Sequence, residues 1–219
     1  MANVVLIGAT GFVGSAILNE LLSRGHKVTA VVRNAAKLPK NDNLTAVEED
    51  VANVDAIANI AKGKDAVISA YNPGWNNPDI KRLIEENYPK IVEAVKKSGV
   101  QRLLIVGGAG TLFVKPGVRV VDTGVIPDAI IDAVRSLGNF YLNVLTKEHD
   151  LDWVFFSPAG AFEYADKGKR TGKFRLGKDD LIVDPATGTS HISVQDYAIA
   201  MVDELEKPAH HQERFTIGY

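Results

Sequence analysis

The chain contains no cysteine among its 219 residues. Disulfides, thiolate metal ligands and a cysteine nucleophile are thereby excluded. No apolar run approaches the roughly 20 residues that span a bilayer, and no charged leader with an apolar core precedes the first strand-like segment. Neither sign of charge dominates, since 25 Lys and Arg stand against 27 Asp and Glu, and no basic run suits nucleic acid. The histidines form no cluster with Asp or Glu at metal-ligand spacing. Repeats, low-complexity tracts and interdomain linkers are absent too. These absences lead to the expectation of a single cytoplasmic domain over 1–219, with no metal, nucleic acid or membrane as partner.

What is present is concentrated at the start. Val4-Val5-Leu6-Ile7 reads as a strand buried on both faces. It breaks into Gly8-Ala9-Thr10-Gly11-Phe12-Val13-Gly14, and an apolar-periodic segment follows in which Phe12, Ala16, Leu18, Leu21 and Leu22 are expected to face inward. A strand that runs almost directly into a helix needs Gly8 for the tight turn, Gly11 for close approach of a ligand and Gly14 for helix packing. The positive end of the helix then faces the gap. A dinucleotide pyrophosphate is the natural occupant. The context agrees, because a second strand, Lys27 to Arg33, comes next.

That second strand ends in Arg33-Asn34, where folds selective for NAD usually carry an acid for the ribose 2′-hydroxyl. Here an Arg stands there and Lys37 and Lys40 follow, which favours a 2′-phosphate and hence NADPH; a solvated strand-end Arg is the plainer reading. Leu44 to Val47 is a third strand leading to Asp50, which suits either an adenine edge or the cap of a short helix over 55–61. A fourth strand, Ala66 to Ala70, opens into a Pro/Gly/Asn loop whose Tyr71 and Trp75 either flank a planar substrate or pack the loop. A long amphipathic helix over 79–98 and a fifth strand, Arg102 to Val106, come before Gly107-Gly108-Ala109-Gly110. From 107 to 127 there is no periodicity beyond a small strand at Val118 to Val121, so a binding loop is expected. The pattern then predicts a helix over 128–150, a sixth strand at Trp153 to Phe156, a second irregular segment from Phe162 to Arg170 and a hairpin of 172–176 with 181–183. A helix over 193–206 capped by Ser193 and a last strand at Arg214 to Ile217 close the chain. Alternating strands and helices predict an α/β fold with a doubly wound, mainly parallel sheet and a small C-terminal cap.

One chemical absence matters as much as the composition. Carbonyl reduction in classical short-chain dehydrogenases uses Tyr and Lys at i and i+4, where the ammonium lowers the phenol's pKa. Tyr71, Tyr88, Tyr141, Tyr164 and Tyr197 are followed at i+4 by Trp75, Val92, Leu145, Gly168 and Met201, and Tyr219 is the last residue. The usual acid is missing. The remaining candidates are Tyr71 and His191, the latter read first as a structural hydrogen-bonding residue and only second as an acid. An acceptor that takes a hydride without a strong protein acid, as an oxidised flavin does, is the other way out.

Several segments together resemble a known family. The Gly8 to Gly14 turn, Val106 to Gly110, Val114 to Thr123, Ser157-Pro158-Ala159, Arg170 to Gly177, His191 to Ala198 and Arg214 to Tyr219 are similar to the bacterial NADH-flavin reductases. These are atypical short-chain dehydrogenase/reductases with an NmrA-like, NAD(P)H-binding Rossmann domain, related to flavin reductase/biliverdin reductase B. The resemblance implies that Gly8, Thr10, Gly11, Phe12, Val13 and Gly14 hold the pyrophosphate, Arg33 the adenosine end, and Ser69, Ala70 and Tyr71 the inner ribose region. Gly107, Gly108, Pro158, Ala159 and Gly160 would border the nicotinamide. Cap segments at about 107–127 and 158–192 would supply Trp75's companions at the substrate, Phe113 and Phe162. The implied activity is hydride transfer from NADPH or NADH to a flavin such as FMN or FAD, or to another planar small molecule. A non-catalytic NAD(P)-binding redox sensor is the rival, and a homodimer is a further expectation. Where relatives can carry a hydroxyl residue after the fifth strand, this chain has glycine and alanine.

The charge reading makes a direct prediction. Arg33→Asp should weaken NADPH by about ten- to a hundredfold, the worth of a charge-assisted phosphate contact, and NADH far less. Equal losses in a fluorescence titration of both cofactors would remove the 2′-phosphate assignment.

Overall fold

In the computed structural model, residues 1–163 and 169–219 are described; Tyr164 and the middle of the irregular segment expected from Phe162 to Arg170 lie outside the described residues. The chain first forms β1 (Asn3–Ile7), α1 (Phe12–Ser23), β2 (Lys27–Val32), β3 (Leu44–Glu48) and α2 (Val54–Ala61). It continues through β4 (Ala66–Ser69), α3 (Ile80–Ser98), β5 (Arg102–Val106), a small hairpin of β6 (Phe113–Lys115) and β7 (Val118–Arg119), and α4 (Asp128–Asn143). Last come β8 (Asp152–Ser157), β9 (Ala161–Glu163), β10 (Arg175–Gly177), β11 (His191–Ser193), α5 (Val194–Glu206) and β12 (Glu213–Gly218).

Eight strands make one sheet in the order β10-β12-β8-β5-β4-β1-β2-β3. All neighbours are parallel except β10, which runs antiparallel to β12. The sheet is therefore doubly wound and mainly parallel, as the alternation of elements requires. Strand order reverses between β1 and β4, so a crevice opens at their carboxyl ends.

Burial on both faces explains the uninterrupted apolar strands. Val4 and Leu6 of β1 point to one side, where Ile17, Leu18 and Leu21 of α1 meet Tyr197, Met201 and Val202 of α5. Val5 and Ile7 point to the other, against Ile57 of α2, Ile84, Tyr88 and Ile91 of α3 and Phe140 of α4. Each such side chain contributes about 1.5–3 kcal/mol on burial. None of the described helices is long and apolar enough to cross a membrane.

Three expectations change. The helix expected over 128–150 stops at Asn143, where Asn143, Val144 and Thr146 are poor helix formers. Leu145, wholly buried, turns into the core from a 3-10 turn at Leu145–Lys147 instead. Phe12, expected to face inward, is the first residue of α1 and 41% exposed; Ile17 takes the buried position one turn later. The hairpin of 172–176 with 181–183 does not form, because β10 pairs with β12 and so covers an otherwise open sheet edge. Leu181 instead donates to the Phe113 carbonyl, and the Phe113 amide donates to Asp179, both at 2.8 Å.

The start of α5 fastens the cap. Ser193 caps the helix through the Asp196 amide, and the wholly buried Asp196 carboxylate accepts from the Thr171 hydroxyl at 2.5 Å, the Tyr219 hydroxyl at 2.6 Å and the Gly172 amide at 2.9 Å. Burial alone would raise its pKa, but these donors outweigh it and hold the carboxyl below its ordinary value of 3.8. A carboxyl depressed in the fold contributes stability above the unfolded value and loses it as pH falls. Asp196→Asn should therefore cost about 1–3 kcal/mol in urea unfolding at pH 7. The gap between variant and parent should close as pH drops below about 4. A gap independent of pH would remove Asp196 as a charged anchor.

Candidate functional site

Parallel strands put the ends of β1, β2, β3, β4, β5 and β8 on one edge of the sheet, and backbone bonds carry the ladder one residue further. Gly8 donates to Val31 at 3.2 Å, Ala70 to Ile7 at 2.9 Å, Glu49 to Val32 at 3.1 Å and Gly107 to Phe156 at 2.8 Å. The edge therefore gathers Gly8 to Gly14, Arg33, Asp50, Ser69 to Tyr71, Gly107, Gly108 and Pro158 to Gly160 along one crevice.

The three glycines of the turn answer to different constraints. Gly8 has φ of +82°, and a Cβ on it would lie 2.6 Å from the Ala70 carbonyl oxygen. A Cβ on Gly14 would collide with the carbonyl of Gly8. Gly11 is different: its φ is −77°, and a Cβ would meet nothing nearer than the Gly8 oxygen at 3.4 Å. The protein itself tolerates a side chain there, so the cleared space in front of α1 is a cradle that a Cβ would fill. Gly11 also offers no side-chain cap, and the first turn of α1 holds no acid. An anion meets the helix end without competition, which fits a pyrophosphate. Thr10 is exposed beside it, whereas Ala9 is buried and Val13 half-buried.

On the β2 side, Arg33 is exposed and forms no ion pair with any described residue. An acid does stand nearby, since Glu48 is in register with Val32, but its carboxylate accepts from the Ala35 amide at 2.8 Å. Glu48 is thus occupied in holding the turn after β2. Asp50 is exposed and accepts from the Ala52 amide at 2.8 Å, while Asn53 is the residue that caps α2. Ser69 is buried, with its hydroxyl toward the Tyr71 amide at 3.5 Å.

The two aromatics after β4 part company. Trp75 is half-exposed, whereas Tyr71 packs edge-on against Tyr88 with ring centroids 5.6 Å apart and accepts from Asn87 Nδ2 at 2.7 Å. Burial raises the Tyr71 pKa, with Asn87 opposing it, and the charges that act on its hydroxyl are those of Asp50, Arg33 and Glu86. Asn87 is a site residue that the sequence pattern does not single out. Its signal is positional, an amide in the inward stripe with Ile80, Ile84 and Ile91.

At the β5 and β8 ends, packing explains why glycine replaces a hydroxyl residue. A Cβ on Gly107 would stand 2.5 Å from the ring of Phe155, and one on Gly110 would run into Val134. The Gly108 carbonyl accepts from Ser157 Oγ at 2.9 Å, and the Gly160 amide donates to Ser190 Oγ at 2.9 Å. Ala159 is buried between them. Phe162 brings the cap to the glycine turn, edge-on to Phe12 at 6.0 Å and to Tyr197 at 5.1 Å. Phe113 lies elsewhere, because its backbone is tied to Asp179 and Leu181 at the β12 side of the sheet. His191 pairs with Ala161 across β11 and β9, meets the Asp184 carboxylate at 3.2 Å and rests edge-on to Tyr219. The local reach of Asp184 across seven residues had no periodic signal in the sequence.

All five described tyrosines, Tyr71, Tyr88, Tyr141, Tyr197 and Tyr219, have phenols whose pKa is raised chiefly by burial. The α4 tyrosine, Tyr141, stacks on Phe155 at 4.8 Å under the Arg214 guanidinium, away from the glycine turn. No described phenol is activated as an acid at pH 7.

Comparison with known proteins agrees with this geometry. The model of a family described as NAD(P)H-binding matches residues 8–208. The uncharacterized protein YwnB of Bacillus subtilis is 41% identical over 214 residues, covering 97% of this chain and 96% of its own. A solved structure from Bacteroides thetaiotaomicron, provisionally named an epimerase, is 54% identical with a TM-score of 0.92, covering 100% of this chain and 98% of its own. Another from Streptococcus pneumoniae, provisionally named an NADH-flavin reductase, is 32% identical with a TM-score of 0.84, covering 100% and 99%. By the extent of that match and the glycine turn at its head, the chain belongs to the NAD(P)H-binding family, a short-chain dehydrogenase/reductase-like group with a Rossmann fold.

Proposed function

We propose that the protein is an NADPH-dependent reductase that passes a hydride to a flavin or another planar acceptor in the crevice between the glycine turn and the cap. The observation that carries the cofactor half is the cleared cradle at Gly11, the one glycine of the turn that the protein's own packing leaves open. Arg33, exposed and without an ion pair among the described residues, favours the 2′-phosphate of NADPH. NADPH supplies the hydride. The protein's residues orient and exclude water: Phe12 and Phe162 form an apolar wall at the helix end, and Ser190 and Ser157 hold the backbone of the facing loops.

The acceptor class follows from proton bookkeeping. A carbonyl that gains a hydride becomes an alkoxide and needs a proton donor beside it. An oxidised flavin that gains a hydride becomes a stabilised anion, so positioning suffices. The raised phenols suit the second case. They also suit a redox sensor that binds NADPH without turnover, and kinetics separate the two readings.

Loss of NADPH absorbance on addition of FMN, FAD or riboflavin is the expected result. Binding of NADPH with no flavin or quinone accelerating its oxidation would leave the sensor reading. Gly11→Val should abolish NADPH binding while the circular dichroism spectrum and melting temperature stay near the parent's. Retained binding would mean that the turn does not hold the pyrophosphate.

A further inference from the structure

We infer that Glu48 sets how far the protein favours NADPH over NADH, by holding a negative charge at the turn where the 2′-phosphate would sit. The inference rests on the 2′-phosphate part of the reading above and not on the acceptor.

The turn after β2 has two backbone amides that an anion could use, and both are already closed. The Ala35 amide donates to Glu48 Oε1 at 2.8 Å, and the Ala36 amide donates to the Asn34 side chain at 2.9 Å. Neither is left for a phosphate. Recognition there falls to side chains, of which the exposed Arg33 is the first.

Glu48 reaches this turn from β3. It stands opposite Val32 in the parallel ladder and so points to the same face of the sheet. Val32 and Ala35 pack into the core layer of α1, the helix whose first turn opens on the crevice. The carboxylate is therefore on the cofactor's side of the sheet. Among the described residues its Oε2 has no partner, and neither Glu48 nor Arg33 forms an ion pair. Two opposite charges at one turn, neither spent on the other, act separately on an incoming ligand.

Their effects differ between the two cofactors. A phosphate monoester carries about 1.5 to 2 negative charges at neutral pH, and the 2′-hydroxyl of NADH carries none. Arg33 attracts the phosphate and Glu48 repels it. The open Oε2 is also an acceptor that a hydroxyl can satisfy and an ionised phosphate cannot. Glu48 thus narrows the gap between the cofactors that Arg33 opens.

The test titrates the whole protein by calorimetry with NADPH, NADH, 2′,5′-ADP and 5′-AMP. Glu48→Gln keeps an oxygen for the Ala35 amide and removes only the charge. It should tighten NADPH and 2′,5′-ADP by about three- to tenfold and leave NADH and 5′-AMP within about twofold of the parent. The gain should shrink as potassium chloride is raised, because salt screens an exposed charge. A carboxylate that merely holds the turn would leave every affinity unchanged in Glu48→Gln. That result overturns the inference, as does an equal gain for NADH. Arg33→Ala, titrated in parallel, separates the two readings: an NADPH preference that survives it removes the Arg33 assignment, and the response to Glu48→Gln still decides for or against Glu48.

Discussion

The structure depends on one close approach between backbones. The carbonyl of Gly8 lies against the Cα of Gly14, and the carbonyl of Ala70 lies against the Cα of Gly8. Three segments, the ends of β1 and β4 and the first turn of α1, are thereby packed with no side chain between them. That proximity sets α1 over the sheet, so that Ile17, Leu18 and Leu21 reach the same layer as Val4 and Leu6. It also fixes where the amino end of α1 opens. Fold and ligand site share a single steric requirement, and Gly11 is the one member of the turn that the fold does not need.

Polar side chains of the crevice divide into those held and those left free to meet a ligand. Glu48, Ser157, Ser190 and Asn87 all spend their groups on backbone or on a neighbouring side chain. Among the described residues, Arg33 and the second oxygen of Asp50 are not spent in this way. Buried polar groups that are satisfied make a rigid frame, while the unsatisfied ones at the surface carry recognition. The groups left without a partner among the described residues lie at the β2 and β3 ends, and the β5 and β8 ends present glycine, alanine and proline. The crevice is thus chemically rich at one end and bland at the other, where a hydride acceptor would lie. Such a division suits an acceptor that brings its own electronics.

Much of this was legible in the sequence for physical reasons. Strands buried on both faces read as plain apolar runs, and the glycine spacing follows from backbone contacts that no other residue permits. The line of crevice residues follows from strand ends sharing an edge. Other features were not legible because they rest on long-range competition. Arg175 to Gly177 is as compatible with a local hairpin as with β12, and only the open edge of the sheet decides. The helix after Pro127 has apolar residues enough to continue, yet the core takes Leu145 at a different angle. Phe12 fits an inward helical position by spacing, but as the first residue of α1 it projects past the core into the crevice. Asn87 and Asp184 act through partners 16 and 7 residues away, and no periodicity encodes those pairs.

The ring of Phe155 under Gly107 has a consequence for how this crevice could acquire other chemistry. Tyr141 stacks on that ring with centroids 4.8 Å apart, and the buried Phe155 has little room to give way to a newly added Cβ. A serine installed after β5 to serve carbonyl substrates would be met by an aromatic wall, and the wall is itself part of the α4 core. The route from this protein to a carbonyl reductase therefore passes through a smaller residue at 155 before any hydroxyl at 107. The order of the two changes is set by packing rather than by catalysis.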